Sequence, residues 1–113
     1  MKNEKNLLSG STTLLVLSLL KDEDMYGYQM VEELALRSDH TFELKEGTLY
    51  PLLHTMEQEG YVKSYIQQTP NGRERKYYHL TKDGRAYLEV KREQWRLFSS
   101  KVDAVIGAAP CTL

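Results

Sequence analysis

The stretch EGTLYPLLHTMEQEG at residues 46–60, with YVKSYIQQTPNGRERKYYHLT at residues 61–81, decides the fold of this chain. In the first segment apolar residues recur at steps of three and four, which is the period of one buried face of an α-helix. These residues are Leu49, Leu52, Leu53 and Met56. Gly60 favours the end of the helix, because glycine readily adopts the left-handed conformation of a C-terminal cap. We therefore predict a helix that ends at Gly60.

The opposite side of this helix carries short or uncharged side chains that can form hydrogen bonds, in place of the Lys and Glu of an ordinary solvated face. They are Thr48, Pro51, His54, Thr55 and Gln58. Proline is tolerated without cost only in the first turn of a helix. Pro51 therefore predicts that the helix begins near Gly47–Thr48 or is distorted at its start. Such a face can approach another polymer closely.

The second segment predicts a β-hairpin with a basic tip. Two runs of β-forming residues flank Pro70-Asn71-Gly72, which is a strong turn signal. Basic residues stand at or just after the turn, at Arg73, Arg75 and Lys76. A contact helix followed by such a hairpin is typical of a winged helix-turn-helix domain. A helix fits the major groove of DNA, and a hairpin tip can lie on the neighbouring phosphates.

The candidate DNA-binding residues follow from this arrangement. On the helix they are Thr48, Tyr50, His54, Thr55 and Gln58. On the hairpin they are Arg73, Arg75 and Lys76, with Lys63 a weaker fourth. Gln can bond both edge groups of adenine and Thr can contact a thymine methyl, whereas the helix offers no Arg for guanine. The alternatives are a plain exposed helix face and a solvated hairpin tip. Tyr50 lies at the border, where its ring could pack while its hydroxyl reaches a phosphate.

The preceding residues predict two more helices. The first has its body at Thr12–Leu20, capped by Ser9 or Ser11, and is apolar nearly all round, so it should be the central buried helix. The second runs from about Tyr26 to Arg37. A short strand at residues 42–44 could back the hairpin. The chain is therefore predicted to be mainly α-helical with a small β-hairpin.

A long final helix follows Thr81, which is suited to cap it. Apolar residues recur along this helix with heptad spacing, and one polar residue interrupts them. The seam comprises Leu88, Lys91, Trp95, Phe98, Val102 and Val105. A helix of this length cannot bury such a stripe alone, so we predict a homodimer that pairs through it. The alternative is that the stripe packs back onto its own domain. The predicted organisation is a winged-helix domain at residues 1–81, a dimerisation helix at 82–107 and a flexible tail at 108–113.

Composition limits the classes of function. The 113 residues suit one domain with a net charge of -1, but the charge is unevenly distributed. Residues 1–60 hold 5 Lys/Arg and 11 Asp/Glu, whereas residues 61–92 hold 8 Lys/Arg and 3 Asp/Glu. The positive charge is thus concentrated where a phosphate contact needs it. The alternative is a charge-balanced protein with a chance basic run.

The chain offers no catalytic or metal-binding constellation and no motif for a cofactor. Its single cysteine, Cys111, excludes an intramolecular disulfide and has no partner motif, which fits a reducing cytoplasm. His40, His54 and His79 are too scattered to indicate a metal site. The apolar run Leu14–Leu20 is too short to span a bilayer. We therefore expect a protein of the cytoplasm that is not an enzyme.

Several of these motifs together resemble the PadR family of bacterial transcriptional regulators. The runs are YGYQMVEEL at residues 26–34, GTLYPLL at 47–53, GR at 72–73 and RKYYHLTKDG at 75–84. They stand in the right order and spacing over roughly residues 9–100. The resemblance implies a winged-helix DNA-binding domain, a C-terminal dimerisation helix and a repressor released by a small molecule. A dimer would read an inverted repeat with half-sites about 10 base pairs, or a multiple, apart. The alternative is a winged-helix module for ligand sensing or protein interaction that does not bind DNA.

Trp95 is the sole tryptophan and falls on the predicted dimer seam. Its simplest interpretation is an apolar anchor of that seam. The alternative is that Trp95 and its symmetry mate flank a cavity for a planar aromatic effector, with Phe98 and Val102 as further walls. Some PadR relatives resemble this arrangement, with a tryptophan at the matching helix position.

Overall fold

A computed structural model describes residues 2–107 of the chain, with side chains from Ser11 onward. The elements in chain order are α1 (Lys2–Leu20), β1 (Met25–Tyr26), α2 (Gly27–Arg37), α3 (Glu46–Gln58), β2 (Val62–Gln68), β3 (Glu74–Leu80) and α4 (Lys82–Ile106). The three strands form an antiparallel sheet in the order β1-β3-β2. This architecture confirms the predicted winged helix-turn-helix with a long C-terminal helix. The tail at 108–113, including Cys111, lies outside the described residues.

The hydrophobic core lies between the helices and one face of the sheet. Among the described side chains, α1 supplies four, α3 supplies three and α4 supplies one, which agrees with α1 as the central helix. The buried apolar residues are Val16, Leu17, Leu19, Leu20, Met25, Met30, Leu34, Leu44, Leu49, Leu53, Met56, Val62, Tyr78, Leu80 and Leu88. All seven elements therefore contribute to the core, as does the loop before α3 through Leu44. The distal half of α4 does not contribute to it.

The hairpin of β2 and β3 is regular from its base at Val62 and Leu80 to its end at Gln68 and Glu74. The predicted turn closes it, because the amide of Gly72 donates to the carbonyl of Thr69 at 2.9 Å. Gly72 has a φ of 80°, a conformation that favours glycine. Because side chains alternate along a strand, one face of the hairpin turns towards the core and the other outward.

Two predictions, one about a strand and one about the start of a helix, are wrong. The sequence favoured a strand at residues 42–44, whereas the third strand is Met25–Tyr26, which pairs with Tyr78 and Tyr77 of β3. Leu44 is buried from an irregular segment, so its apolar character reflects core packing and not strand pairing. The first helix begins at Lys2, not at Ser9 or Ser11. Local capping preferences are worth only about 1 kcal/mol, so a continuing helix can override them.

One junction joins the base of the hairpin to the two helices that flank it. The hydroxyl of Thr81 accepts a hydrogen bond from the amide of Gly84 at 3.0 Å, which confirms Thr81 as the cap of α4. The same oxygen lies 2.7 Å from the carbonyl oxygen of Gly60 and 3.0 Å from that of Tyr61. A Cβ at Gly84 would collide with the Tyr61 carbonyl, so only glycine lets α4 approach this closely. The ends of α3 and the start of α4 are therefore fixed to each other.

Within residues 2–107 no helix is both long and apolar enough to cross a membrane. Among the side chains described, from residue 11 to residue 107, no three His, Cys, Asp or Glu residues lie together as a metal site would require.

Candidate nucleic-acid interface

α3 has one buried and one exposed face, as its periodicity predicted. Leu49, Leu53 and Met56 are buried in the core, and Leu52 packs partly against it. The exposed residues of the opposite face are Thr48, Pro51, His54, Thr55 and Gln58. The core therefore fixes the helix from behind, while five short or uncharged side chains remain accessible to a partner.

Both ends of α3 are well defined. The helix begins at Glu46, one residue before the predicted start, and the carbonyl of Lys45 accepts hydrogen bonds from the amides of Thr48 and Leu49. Pro51 is its sixth residue, so the ring stiffens the second turn and removes one backbone donor.

The C-terminal end forms a Schellman motif, in which two amides beyond the helix bond back to its last turn. The amide of Gly60 donates to the carbonyl of Glu57 at 3.1 Å, and that of Tyr61 donates to Met56 at 2.9 Å. Gly60 has a φ of 84°, which confirms it as the predicted cap.

Tyr50 lies at the border of the two faces of α3 and is 44% exposed. Its ring packs against the backbone of Gly27 at the start of α2, where an added Cβ would lie 2.8 Å from the Tyr50 Cζ. Burial, followed by the negative charge of Glu46 and by Tyr78, raises the pKa of the Tyr50 hydroxyl. The hydroxyl therefore stays protonated and can donate a hydrogen bond. The ring therefore packs α3 against α2.

A carboxylate of α3 holds the inner face of the hairpin. Glu57 accepts hydrogen bonds from the Ser64 hydroxyl at 2.5 Å and from the Ser64 amide at 3.3 Å. The Ser64 hydroxyl is the largest influence on the pKa of Glu57 and lowers it against the opposing effect of burial. The charges of Lys76 and His54 lower this pKa further. Lys76 lies on the same face of the hairpin as Ser64, because its Nζ lies 5.7 Å from the centre of the Tyr78 ring and Tyr78 pairs with Ser64.

The four basic candidates of the hairpin do not form one cluster. Arg73 lies in the exposed turn, and Lys76 lies on the face that turns towards α3. The guanidinium of Arg75 lies on the outer face, 4.4 Å from the centre of the Tyr26 ring, in cation–π contact. Lys63 also lies on the outer face, because its neighbours in β2 point to the core and to Glu57. Strand alternation therefore places the four candidate cations on different faces of the hairpin.

The outer face of the sheet carries a cluster that the sequence did not indicate. The Tyr65 and Tyr77 rings stack with centres 5.7 Å apart, and Tyr77 meets Tyr26 edge-on at 5.4 Å. The carboxylate of Asp24, in the loop before β1, accepts a hydrogen bond from the Tyr65 hydroxyl at 2.8 Å and lies 2.8 Å from Nδ1 of His79. Burial opposes ionisation, but the hydrogen bonds to His79 and Tyr65 prevail and lower the pKa of Asp24. This cluster ties β1 to both strands of the hairpin.

A second exposed surface lies on the distal half of α4. Leu88 is only 1% exposed and belongs to the chain's own core, so its predicted place on a dimer seam is wrong. Lys91 is half-buried, and its Nζ lies 5.3 Å from the centre of the Tyr87 ring in the same helix. Beyond Lys91 the predicted stripe is exposed. Trp95, Phe98, Val102 and Val105 are 49%, 60%, 39% and 87% exposed. The centres of the Trp95 and Phe98 rings lie 5.9 Å apart.

Known proteins are similar to this chain in both sequence and fold. Residues 16–90 match the model of the transcriptional regulator PadR-like family. The chain is 37% identical to the transcriptional regulator Rv3488 of Mycobacterium tuberculosis over 70% of each chain. The structure of a transcriptional regulator from Clostridium thermocellum aligns with a TM-score of 0.80 at 31% identity, covering 88% of this chain and 96% of that one. A PadR-like transcriptional regulator from Bacillus cereus aligns with a TM-score of 0.78 at 30% identity, covering 92% and 99%.

Ser64→Ala tests the contact between α3 and the hairpin through its pH dependence. A carboxyl group with a lowered pKa in the folded state stabilises the fold above its unfolded pKa, and this contribution is lost as pH falls through the folded pKa. The ordinary pKa of Glu57 is 4.5, and the Ser64 hydroxyl lowers it. We therefore expect Ser64→Ala to be less stable than the wild type at pH 7 by about 1 kcal/mol. The difference should shrink as the pH falls below about 4.5.

Urea unfolding of both proteins between pH 7 and pH 3 measures this difference. Ser100→Ala, at an exposed position of α4, is the control and should show no such trend. A constant difference across the pH range would show that the Glu57 carboxylate is not held by Ser64.

Proposed function

The chain belongs to the PadR-like family of transcriptional regulators, and from that premise we propose that it is a homodimeric repressor that binds double-stranded DNA. Its site would be an inverted-repeat operator, and a small molecule would release it. It would act in the cytoplasm. The observation that carries the proposal is the exposed face of α3, which lacks charged side chains, together with Lys76 on the hairpin face that turns towards α3.

The α3 face is suited to reading bases because it combines a rigid support with short side chains. Buried residues hold the helix from behind, and Gly27 lets Tyr50 pack closely against α2. We infer that Thr55 and Gln58 read base edges, together with His54. The long charged side chains that would hold a duplex away are missing from this face.

We propose that Arg73 and Lys76 contact phosphates beside the groove that α3 enters. Arg73 lies in the exposed turn of the hairpin, and Lys76 lies on the hairpin face that turns towards α3. Arg75 is already in contact with Tyr26, and Lys63 points away from α3. The structure therefore favours two phosphate contacts from the hairpin over the four that the composition offered.

The exposed stripe of α4 supports a homodimer. Trp95 and Phe98 are each at least 49% exposed, and Val102 and Val105 extend the same face. Complete burial of an aromatic side chain removes about 150–250 Å² of its surface from water. Each Å² of apolar surface removed contributes about 25 cal/mol of stabilising free energy. A second copy of α4, or of α1, would cover this surface. Two contact helices would then face successive major grooves, which requires half-sites about 10 base pairs, or a multiple, apart.

We propose that the same surface forms the effector site. The rings of Trp95 and Phe98 diverge by 36°, with their centres 5.9 Å apart. In a dimer two such pairs would face each other, and a planar aromatic molecule could stack between them. A ligand that binds more tightly to a spacing of the α3 helices unsuited to DNA would shift the population off the operator.

The first prediction concerns the two phosphate contacts. Arg73→Ala and Lys76→Ala should each weaken binding to every DNA sequence and reduce the slope of log K against log salt by about one. Lys82→Ala is the matched control, because Lys82 is exposed at the start of α4, beyond the end of β3 that lies away from the turn. Fluorescence anisotropy with the promoter of its own gene at several salt concentrations measures the slope. Unchanged slopes in both variants would remove the hairpin from the interface. Absence of DNA binding by the wild type would favour the ligand-sensing or protein-interaction module.

The second prediction concerns the dimer. Phe98→Glu places a charge in the proposed apolar interface and should give monomers. Ser100→Glu adds the same charge about 200° further round the helix and should leave the dimer intact. Sedimentation at micromolar concentration distinguishes one chain from two. A monomeric wild type would contradict the proposal, as would a Phe98→Glu variant that remains dimeric.

The third prediction concerns the effector. Planar aromatic compounds should quench the emission of Trp95, which is unambiguous because the chain has one tryptophan. Phe98→Ala should weaken this binding about tenfold, because it removes the second ring. Leu97→Ala changes an exposed apolar residue on another side of α4 and should bind as the wild type does. An absence of quenching across a broad panel of compounds would leave Trp95 as an anchor of the seam.

A further inference from the structure

We propose that two carboxylates, from Asp24 and Glu57, clamp the hairpin from its two faces and so set the position of its tip relative to α3. The proposal rests on the proposed DNA-binding function where it concerns affinity. It assigns Asp24 and Glu57 as positioning residues, which act on DNA through Arg73 and Lys76.

The two attachment points of the clamp are adjacent residues of β2. Ser64 points to the inner face, where its hydroxyl and amide both donate to the Glu57 carboxylate. Tyr65 points to the outer face, where its hydroxyl donates to Oδ2 of Asp24 at 2.8 Å. Because consecutive strand residues point to opposite faces, one short step of backbone is held from both sides.

The second strand of the hairpin is held at the same level. Ser64 pairs with Tyr78 and Tyr65 pairs with Tyr77. Tyr78 is buried in the core, and His79 lies 2.8 Å from Oδ1 of Asp24. The Asp24 carboxylate thus contacts both strands, one through each oxygen. The clamp fixes β2 and β3 together and does not merely pin one edge.

Residues 66–76 project beyond this clamp and carry both proposed phosphate contacts. From Tyr65 to the end of β2 is about 10 Å at the rise of an antiparallel strand, and the turn extends further. A tilt of about 10° at the clamp would therefore move the tip by about 2 Å. Such a shift is enough to break a hydrogen bond to a phosphate.

Charge alone predicts the opposite effect of removing these groups. Each carboxylate is negative within a domain that must approach a polyanion, so its loss should strengthen DNA binding by reducing repulsion. If the carboxylates instead position the tip, their loss weakens binding. The sign of the change in affinity therefore distinguishes positioning from electrostatics.

The experiment compares two variants with two matched controls. Asp24→Ala is paired with Asp22→Ala, an exposed acid of the same loop, and Glu57→Ala is paired with Glu59→Ala, an exposed acid at the end of α3. Each pair removes the same charge from nearly the same place. We expect both clamp variants to bind the wild-type DNA target at least fivefold more weakly than their controls. The salt slope should also fall by about one, because a phosphate contact is lost.

Combining variants distinguishes positioning of the hairpin tip from a general role of Asp24 in stability. In a variant that lacks Arg73 and Lys76, Asp24→Ala should cause no further loss of affinity, because the tip has no remaining contact to misplace. Tyr65→Phe is the milder variant and removes only the hydroxyl that reaches Asp24. It should also weaken DNA binding, and it replaces Asp24→Ala in the experiment if that variant fails to fold. Clamp variants that bind as tightly as their controls, with unchanged slopes, would overturn the proposal.

Amide hydrogen exchange in the free protein separates this proposal from the proposed function. Backbone amides in residues 66–76 should exchange faster in Asp24→Ala than in Asp22→Ala, whether or not DNA binds. If the wild type fails to bind DNA while this difference is present, the function is wrong and the clamp is supported. If exchange is equal in the two variants, the clamp is wrong even where DNA binding is intact.

Discussion

The hydroxyl of Thr81 forms the contact on which the arrangement of the contact helix, hairpin and final helix depends. It caps α4 through the amide of Gly84 and lies within hydrogen-bond distance of the Gly60 and Tyr61 carbonyls, where α3 ends. The amide of Thr81 donates to the Tyr61 carbonyl at 3.1 Å as well. The two strands of the hairpin therefore begin and end at the same place, where the end of α3 meets the start of α4. If α4 joins two copies, as proposed, the spacing of the two α3 helices is set through this junction.

The junction fixes the base of the hairpin but not its tip, which explains why further contacts appear higher up. A two-stranded ribbon is only marginally stable alone and twists readily. Glu57 and the Asp24 cluster act at the level of Ser64 and Tyr65, about two residues above the base. The hairpin is thus held at more than one level along its length. The side chains of the accessible α3 face are not needed to hold the hairpin in place. Thr55 and Gln58 are exposed on this face and therefore accessible for the base contacts proposed above.

Local signals predicted the parts of this fold that neighbouring residues determine. The period of α3, the turn at Pro70–Gly72, and the caps at Gly60 and Thr81 all depend on contacts within a few residues. Contacts between distant residues were missed, since Asp24 meets partners 41 and 55 positions away. A two-residue strand such as β1 is too short to show a period. The prediction that Leu88 lies on the dimer seam failed for a similar reason. Heptad spacing does not show at which residue a helix leaves the core of its own domain.

The hairpin cations illustrate the same limit and bear on how a chain with a net charge of -1 can approach DNA. Composition located the cations, but strand alternation decides which face each one occupies. Some charges on the described helices are also paired locally, such as Glu33 with Arg37 at 2.8 Å and Glu89 with Arg92 at 3.1 Å. Screening confines the field of the remaining charges to about 8 Å at physiological salt. A duplex on α3 would therefore sense the nearby cations and an uncharged helix face, and the net charge of the whole chain would matter little.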